Sequence, residues 1–302
     1  MPSHATETPQ VSAKFVNQNW IKMVQDRTKQ AEVEGTNFIR EFVRQEAAFR
    51  EVIVPQGVGD DELTRSVDTD EPIMVVEKEP KSFATFVELQ GTPSARWFNG
   101  PRYAVPFGKV TSDLFTKSKF QLMTYQNDIR KIIADNSVKD LADQEDRHGR
   151  RTCGQIVNAN PAVQRTTAST FTSGAFKRAF QAMYDRRRPI GKLLLTQSLL
   201  TEAIDLPATA IGNAIAEKHW NEGIEKEERL FGVPVISTIK SDIYDPRECW
   251  VFSPQNFLGN FFLLQDATLF IKQEADIIMF FTYEAIGIGI GNRLSLQQIL
   301  FS

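Results

Sequence analysis

The chain is poor in the residues that build redox and metal chemistry. It has two cysteines, Cys153 and Cys249, and three histidines, His4, His148 and His219. There is no C-x-x-C and no Cys/His cluster, so a zinc site of the usual spacing is excluded. The two thiols read as buried and free in a reducing compartment. No cofactor is expected. There is no G-x-x-x-x-G-K-[ST] and no G-x-S-x-G, so neither a phosphate-binding loop nor a nucleophile elbow is present. His148 falls at a helix end, where a cation suits the dipole. His219 sits beside Trp220 in a helical stretch, and both histidines read as structural.

Long apolar runs are also missing. The longest are of the kind seen from Ile277 to Phe281, far short of the roughly 20 residues that span a bilayer. The opening residues MPSHATETPQ lack the basic start and apolar core of a signal peptide. No membrane partner is expected. Nor is there a global basic field: 35 Lys and Arg face 38 Asp and Glu, giving a net charge of −3, unlike a protein that seeks out nucleic acid alone.

What is present is a folded composition of 302 residues, 41% hydrophobic and 24% charged, enough for two modest domains or one large one. The 22 Phe outnumber the 5 Tyr. That bias suits buried sites where no hydroxyl needs a partner.

Along the chain, residues 1–12 read as a polar tail. Helical spacing then runs from Val16 to Val54, with Phe38, Phe42 and Phe49 on one face and Gly35 as the expected break. Its apolar stripe is sparse, so it reads as an arm lying on something else. Asp60, Asp61, Glu62, Asp68, Asp70 and Glu71 form an acidic loop. Residues 72–110 read as strand, turn, strand, with Phe83, Thr85, Val87 and Leu89 alternating, a turn from Gly91 to Ala95, and Tyr103, Val105 and Phe107 alternating again. A two-stranded ribbon is marginal alone and needs a surface to lie against.

The clearest helix spans 124–148, with Leu122, Tyr125, Ile129, Ile132, Ile133 and Leu141 at helical spacing. Thr124 is its expected N-cap and Gly149 its stop. A second helix begins near Ser173 on Phe176, Ala179, Phe180 and Met183. Leu193 to Leu195 is a short buried strand, followed by helices near 197–205 and 207–221. Strands return at Val233 to Ile239, Trp250 to Phe252, and from Phe257 to the end. Helices and strands alternate without βαβ rhythm, which points to an α+β fold with mixed sheets.

Three features invite a functional reading. Gly287, Gly289 and Gly291 alternate with isoleucine, but a dinucleotide loop needs an acidic residue about 20 positions on, beyond Ser302. Alternating glycine in a strand instead lets a backbone or a ring pack closely on the glycine face. Arg186, Arg187 and Arg188 read as a cationic helix end or a partner for acids on a neighbour, with DNA phosphate as the alternative. Glu225 to Arg229 is a solvated charged face.

The order of these elements resembles the tailed-phage major capsid fold of the Hong Kong 97 type. The resemblance is carried by RLFGVPVIST (Arg229 to Thr238), FSPQNFLG (Phe252 to Gly259) and DATLFIKQEADIIMFFTYEAIGIGIGN (Asp266 to Asn292). FVRQEAAFREVIVPQGV, with the acidic loop and VVEKEP, resembles one capsid subfamily. The resemblance implies an N-arm over 1–54 and an E-loop hairpin over 55–110. It implies a P-domain with its spine helix and sheet over 111–170, an A-domain over 171–280, and closing strands over 281–302 that return to the P-domain.

The implied function is structural: hexamers and pentamers of this chain forming an icosahedral head around double-stranded DNA, in the virion, assembled in the host cytoplasm. No long coiled-coil leader is seen, which implies a separate scaffolding protein or a smaller leader already removed. A portal and cement proteins complete the implied partners. Lys78, Lys81 and Lys109 match no covalent cross-linking role. Candidate inter-subunit contacts are Trp97, Phe98, Arg102 and Tyr103 on the ribbon, since aromatics and arginine dominate hot spots. Arg40, Arg44 and Arg50 on the arm are expected to pair with Asp60, Asp61 and Glu62 of a neighbour. The alternatives are an encapsulin-like compartment shell and a soluble enzyme without a recognisable motif.

Overall fold

The N-terminal helical spacing produces three helices, α1 (Ala13–Asp26), α2 (Thr28–Glu46) and α3 (Ala48–Val52). The computed structural model describes residues 13–78, 86–89, 91–92, 100–124, 129–204 and 229–302. Within these, the chain divides into two units. One holds residues up to 50 with 109–148 and 265–286; the other holds 51–108, 149–264 and 287–302. Each unit is thus built from stretches far apart in sequence.

In the first unit, the expected break at Gly35 does not occur. The chain leaves helical geometry at Arg27 (φ −145°, ψ 59°) and again at Ala47 (φ −83°, ψ 107°). The Thr28 hydroxyl takes over the Val24 carbonyl at 2.6 Å. Gly35 stays inside α2 because the Leu269 side chain fills the space where a Cβ would stand. It serves close packing rather than termination. The helices are not a detached arm. Ile21, Val24, Ala31, Ile39 and Val43 are buried in one cluster with Leu122, Ile133, Val138, Leu141, Leu269, Ile271, Ile278 and Phe280. The side chains of Phe38 and Phe42 lie outside the described residues, and Phe49 is fully buried.

Strand and helix edges of this unit follow from its alternation. β5 (Gly108–Thr111), β6 (Phe115–Ser118) and α4 (Lys119–Thr124) lead into the long helix α5 (Ile129–Ala159). α5 does not stop at Gly149. The buried positions Val138, Leu141, Ala142, Glu145 and Asp146 continue as Cys153 and Val157 at the same spacing, and that stripe outweighs the roughly 1 kcal/mol cost of an interior glycine. The helix ends before Pro161, which opens α6 (Pro161–Gln164). Residues 125–128, including Tyr125, lie outside the described residues.

The long strands β12 (Asn260–Glu274) and β13 (Ile277–Gly289) dominate a five-stranded sheet in the order β1–β12–β13–β5, where β6 also pairs with β13. β1 (Pro55–Gly57) runs parallel to residues 261–263, and Phe115 stands opposite Phe280. Along β13 the buried side chains are Ile278, Phe280, Thr282, Glu284, Ile286 and Ile288, the two-residue period of a strand.

The second unit is built on a six-stranded mixed sheet. Its order places β7 (Arg165–Ala168) beside β14 (Leu296–Phe301), then β11 (Glu248–Phe252), β8 (Lys192–Thr196), β10 (Val233–Thr238) and β9 (Arg229–Leu230). β11 is central and buried along its whole length. One sheet face packs Leu193, Leu195, Cys249, Val251, Ile299 and Phe301 against Phe176 and Ala179 of α7 (Ser173–Asp185) and Leu199 and Leu200 of α8 (Gln197–Ile204). The ring contacts there are between phenylalanines: Phe171 meets Phe176 edge-on at 5.0 Å and Phe301 lies 5.3 Å from Phe171. These rings need no hydroxyl partner, which is where the phenylalanine bias goes. Both cysteines are free and buried. The helix expected near 207–221, with His219, falls outside the described residues.

A three-stranded sheet of β2 (Thr64–Arg65), β3 (Pro72–Glu77) and β4 (Arg102–Pro106) completes this unit. Here the glycine row finds its partner. A Cβ on Gly289 would meet Val105, one on Gly291 the Tyr103 ring, and one on Gly287 the Pro106 carbonyl and Val105. The isoleucine–glycine alternation thus clears one strand face for a β-branched side chain and a ring. Gly289→Ala should destabilise the protein by about 1–3 kcal/mol through overpacking, read from urea unfolding. Combined with Val105→Ala, the loss should be smaller than the sum of the two single losses. Strict additivity would show that the two positions do not oppose each other.

Candidate assembly surfaces and the buried ion cluster

The ribbon is set by the register of β3 and β4, with Val75 opposite Ala104 and Glu77 opposite Arg102. The Lys78 N–H continues the ladder to the Pro101 carbonyl at 2.8 Å. Between these ends the described residues include Phe86 and Leu89, both wholly exposed, and Val87, 38% exposed. Gly91 closes a turn onto the Glu88 carbonyl at 2.7 Å. Large apolar side chains held this far in water mark a contact surface. Phe83, Trp97 and Phe98 lie outside the described residues.

Arg102 is exposed and pairs with Glu77 at 2.9 Å, a kind of pair that contributes little to stability by itself. Tyr103 does not project outward. Its hydroxyl accepts from Asn260 Nδ2 at 3.1 Å and its ring lies on the glycine face. Burial pushes its phenol up, against the Asn260 hydrogen bond. It holds the base of the ribbon rather than offering a free contact.

Asp60, Asp61 and Glu62 form a single exposed 3-10 turn. Asp68, Asp70 and Glu71 are exposed too, and Arg65 reaches Asp70 at 3.0 Å. This segment is a concentrated patch of carboxylates.

The arm arginines divide. Arg40 is half-buried on its own unit, donating to the Ala267 carbonyl at 2.8 Å and standing 3.7 Å from Asp266. Arg44 lies in α2, and its side chain is outside the described residues. Arg50, expected to reach a neighbour's acidic loop, is 4% exposed and engaged within its own unit. Its guanidinium grips Glu145 with two parallel bonds, Nε to Oε2 at 2.7 Å and Nη2 to Oε1 at 2.5 Å. Nη2 also meets Glu284 Oε2 at 3.2 Å, and Nη1 lies 3.8 Å from Asp266. Beside them Asp146 accepts from the backbone N–H of Phe49 at 2.8 Å and of Ala48 at 3.4 Å, satisfying the start of α3.

Two buried glutamates on one arginine cannot both keep a full charge cheaply. Burial, then the Glu145 charge, push the Glu284 carboxyl up to about 9, against the pull of Arg50. Glu145 is raised as well by burial, with Arg50 opposing. Glu284 Oε1 is buried with no hydrogen-bond partner among the described residues. A neutral carboxyl tolerates that environment and a carboxylate does not. In the second unit, Arg150 donates to Glu248 Oε1 at 2.8 Å and Gln298 Nε2 to its Oε2 at 2.9 Å. Burial, and secondarily Glu248, raise both cysteine thiols well above their ordinary range, so neither is a reactive thiolate.

The sequence carried a signal for this cluster that periodicity reasoning passed over. Glu145 falls four residues after Leu141 on the stripe of α5, and Glu284 falls on the inward alternation of β13 between Thr282 and Ile286. A carboxylate at an apolar position implies a buried counter-charge.

Arg50→Ala should destabilise the chain by about 3–5 kcal/mol in urea, because it strands Glu145 without a partner. The Glu284 proton gives a sign for pH. An unfolded glutamate releases it near 4.5 and the folded one holds it to about 9. Its contribution is complete below 4.5 and is lost as pH rises through 9. The thermal midpoint of the native chain should therefore fall more steeply over that window than that of Glu284→Gln. Parallel curves would show that Glu284 is not the proton holder.

The sequence matches no protein-family model and no curated protein. Solved structures do match. A virus-like particle protein from Pyrococcus furiosus is 14% identical with a TM-score of 0.53, over 88% of this chain and 97% of that one. The capsid of a native GTA particle is 12% identical with a TM-score of 0.57, over 84% and 90%. The mature capsid of bacteriophage PhiM1 is 9% identical with a TM-score of 0.60, over 85% and 87%. The element order, the mixed sheets and these likenesses show that the chain carries the phage major capsid protein fold.

Proposed function

We propose that the chain is a structural shell subunit of the Hong Kong 97 type that closes with its own copies, as hexamers and pentamers, into an icosahedral head around double-stranded DNA. One observation carries this reading: at least 84% of the chain superimposes on each of three particle shell proteins. The exposed apolar residues Phe86, Val87 and Leu89 support it, since a marginal ribbon carrying them gains from a neighbour.

On this reading residues 1–54 act as the N-arm, 55–110 as the E-loop, 111–170 as the P-domain, 171–280 as the A-domain, and 281–302 as the returning strands. Contacts between subunits run through Trp97, Phe98, Arg102, Phe86 and Leu89, and through Asp60, Asp61 and Glu62 against Arg44 or another cation of a neighbour. Arg50 and Tyr103 serve the subunit's own fold. A scaffolding protein, a portal and cement proteins are the partners, and the site of action is the virion after assembly in the host cytoplasm. No catalytic step is assigned.

A compartment shell that holds proteins instead of a genome is the second reading. The likeness to a virus-like particle chain, covered to 97%, keeps a shell without a viral genome as an alternative. Nuclease-protected DNA inside purified particles separates the two.

Expressed with and without its scaffold, the full-length chain should give closed particles by negative-stain microscopy. A chain that stays monomeric by light scattering in both cases overturns the reading. Phe86→Ser with Leu89→Ser should abolish particles while leaving the thermal midpoint within a few degrees of the parent, since surface substitutions away from the core shift stability by only about ±0.5 kcal/mol.

A further inference from the structure

Charge in this chain is segregated. Between Arg150 and Lys192 stand nine Lys and Arg and a single acid, Asp185, in a molecule of net charge −3. All of them belong to the second unit. Arg150 is engaged by Glu248 at 2.8 Å, and Lys192 donates to the Glu51 carbonyl. Of the rest, Arg165 and Arg186 have neutral hydrogen-bond partners, Arg188 is half-buried with its Nε unpartnered among the described residues, and four stand in water. Arg165 donates to Gln298 Oε1 at 2.8 Å and Asn158 Oδ1 at 2.9 Å. Arg186 donates to Gln297 Oε1 at 2.7 Å and to the Val163 carbonyl. These amide and carbonyl oxygens carry no full negative charge, Arg186 Nη1 is buried without a hydrogen-bond partner among the described residues, and the acid acting on the Arg186 charge is the adjacent Asp185. Arg151, Lys177, Arg178 and Arg187 are exposed.

These cations share a region. Arg165 reaches Asn158, which lies seven residues from Arg151 on the same face of α5. α7 packs on β7 and β14. Its outward face carries Lys177 and Arg178, with Tyr184 60% exposed one to two turns on. Its C-terminal end delivers Arg186 to residues 163 and 297. Arg187 then projects from a left-handed backbone, φ 58°, which a non-glycine residue adopts at a cost.

We propose that this face of the second unit binds the phosphate backbone of nucleic acid without reading its sequence. The inference rests on the reading of the chain as a shell around DNA and names the surface that meets it. Guanidinium forks match phosphate oxygens in pairs. From Lys177 to the end of α7 at Asp185 the helix rises about 12 Å, and Arg186 and Arg187 follow at that end. Duplex DNA offers a phosphate charge about every 1.7 Å of its axis. A polymeric anion fits a stripe that spans α5, β7 and α7. The acidic segment 60–71 of a second copy is a single local patch and fits less of it.

The test uses the full-length chain and a fluorescent random-sequence 30-base-pair duplex, titrated by anisotropy across a salt series. The parent should bind, with affinity falling by about a power of 0.9 in salt per phosphate neutralised. Arg151→Gln, Lys177→Gln, Arg178→Gln and Arg187→Gln combined should weaken binding by about tenfold or more near 0.1 M salt and flatten the slope. A control set of exposed cations elsewhere, Lys22, Arg27, Lys29 and Lys139 to Gln, should not. In the parent, bound duplex should shield Lys177 from acetylation and leave Lys29 open, a readout that requires no variant to fold.

No binding by the parent, equal loss in both sets, or unshielded Lys177 overturns the inference. Particle formation is scored separately by microscopy. Particles from the fourfold variant with DNA affinity unchanged sink the inference and spare the shell reading. No particles from the parent sink the shell reading whatever the DNA result. Loss of particles in the fourfold variant with DNA affinity unchanged assigns these cations to the acidic segment of a neighbouring copy, and overturns the inference too.

Discussion

Arg50 ties together segments separated by more than two hundred residues. Its guanidinium joins α3 to Glu145 on α5, to Glu284 on β13 and to Asp266 on β12. An arginine buried this deeply must be matched or it costs several kcal/mol. The match here is a two-pronged bond to one glutamate and a single bond to a second that keeps its proton. The neutral second carboxyl is what balances the site: two full negative charges beside one guanidinium would leave an excess charge out of water. Because the bond to Glu145 is bidentate, it fixes angle as well as distance. Asp146, one residue on, then meets the amides that open α3. Hydrophobic burial drives the first unit together, and this cluster selects one register for it.

Register matters most along β13. A slip of one residue would turn Ile278, Phe280, Ile286 and Ile288 outward and bring Met279, Phe281, Tyr283 and Ala285 inward, a set nearly as apolar. Hydrophobicity alone discriminates weakly between the two. Glu284 discriminates strongly, since only one register delivers a carboxyl to Arg50. Further along the same strand the constraint becomes steric. Gly289 must face Val105 and Tyr103, where a Cβ would clash, and Gly287 faces Pro106 and Val105, where one would be tight. One strand is therefore indexed twice, once by charge and once by the absence of a side chain.

Much of this fold was legible in the sequence wherever a local pattern had one meaning. Short apolar runs gave β8, β10 and β11, and period-two alternation gave the long C-terminal strands. Phe176, Ala179 and Met183 gave α7, and the glycine–isoleucine alternation gave close approach. The misreadings share a cause: the deciding partner lay far away in sequence. Gly35 and Gly149 look like stops, since glycine disfavours helix by about 1 kcal/mol, yet Leu269 and the stripe through Cys153 and Val157 outweigh that. The N-terminal stripe looks too sparse for a core because part of its burial is closed by β12, whose Leu269 and Ile271 amides donate to Thr36 and Glu32, each at 3.0 Å. Arg50 reads as a surface cation until Glu145 and Glu284 are placed beside it.

The likeness to particle shells at 8–14% identity has a physical counterpart in how this chain is built. A fold of this kind asks for apolar residues at the right period and for a few indexed positions, and cores tolerate wide substitution when volume and pattern are kept. Catalysis would add fixed side chains at fixed distances, which hold sequence in place. On the proposed reading the chain's work is done by surfaces repeated many times in a closed assembly. Each contact can be weak, as the exposed Arg102–Glu77 pair is, because closure multiplies it over every symmetry-related copy. Selection then acts on the complementarity of ribbon, acidic turn and arginine stripe with whatever they meet. Complementary pairs can change together, so the architecture persists while the sequence drifts beyond recognition by similarity.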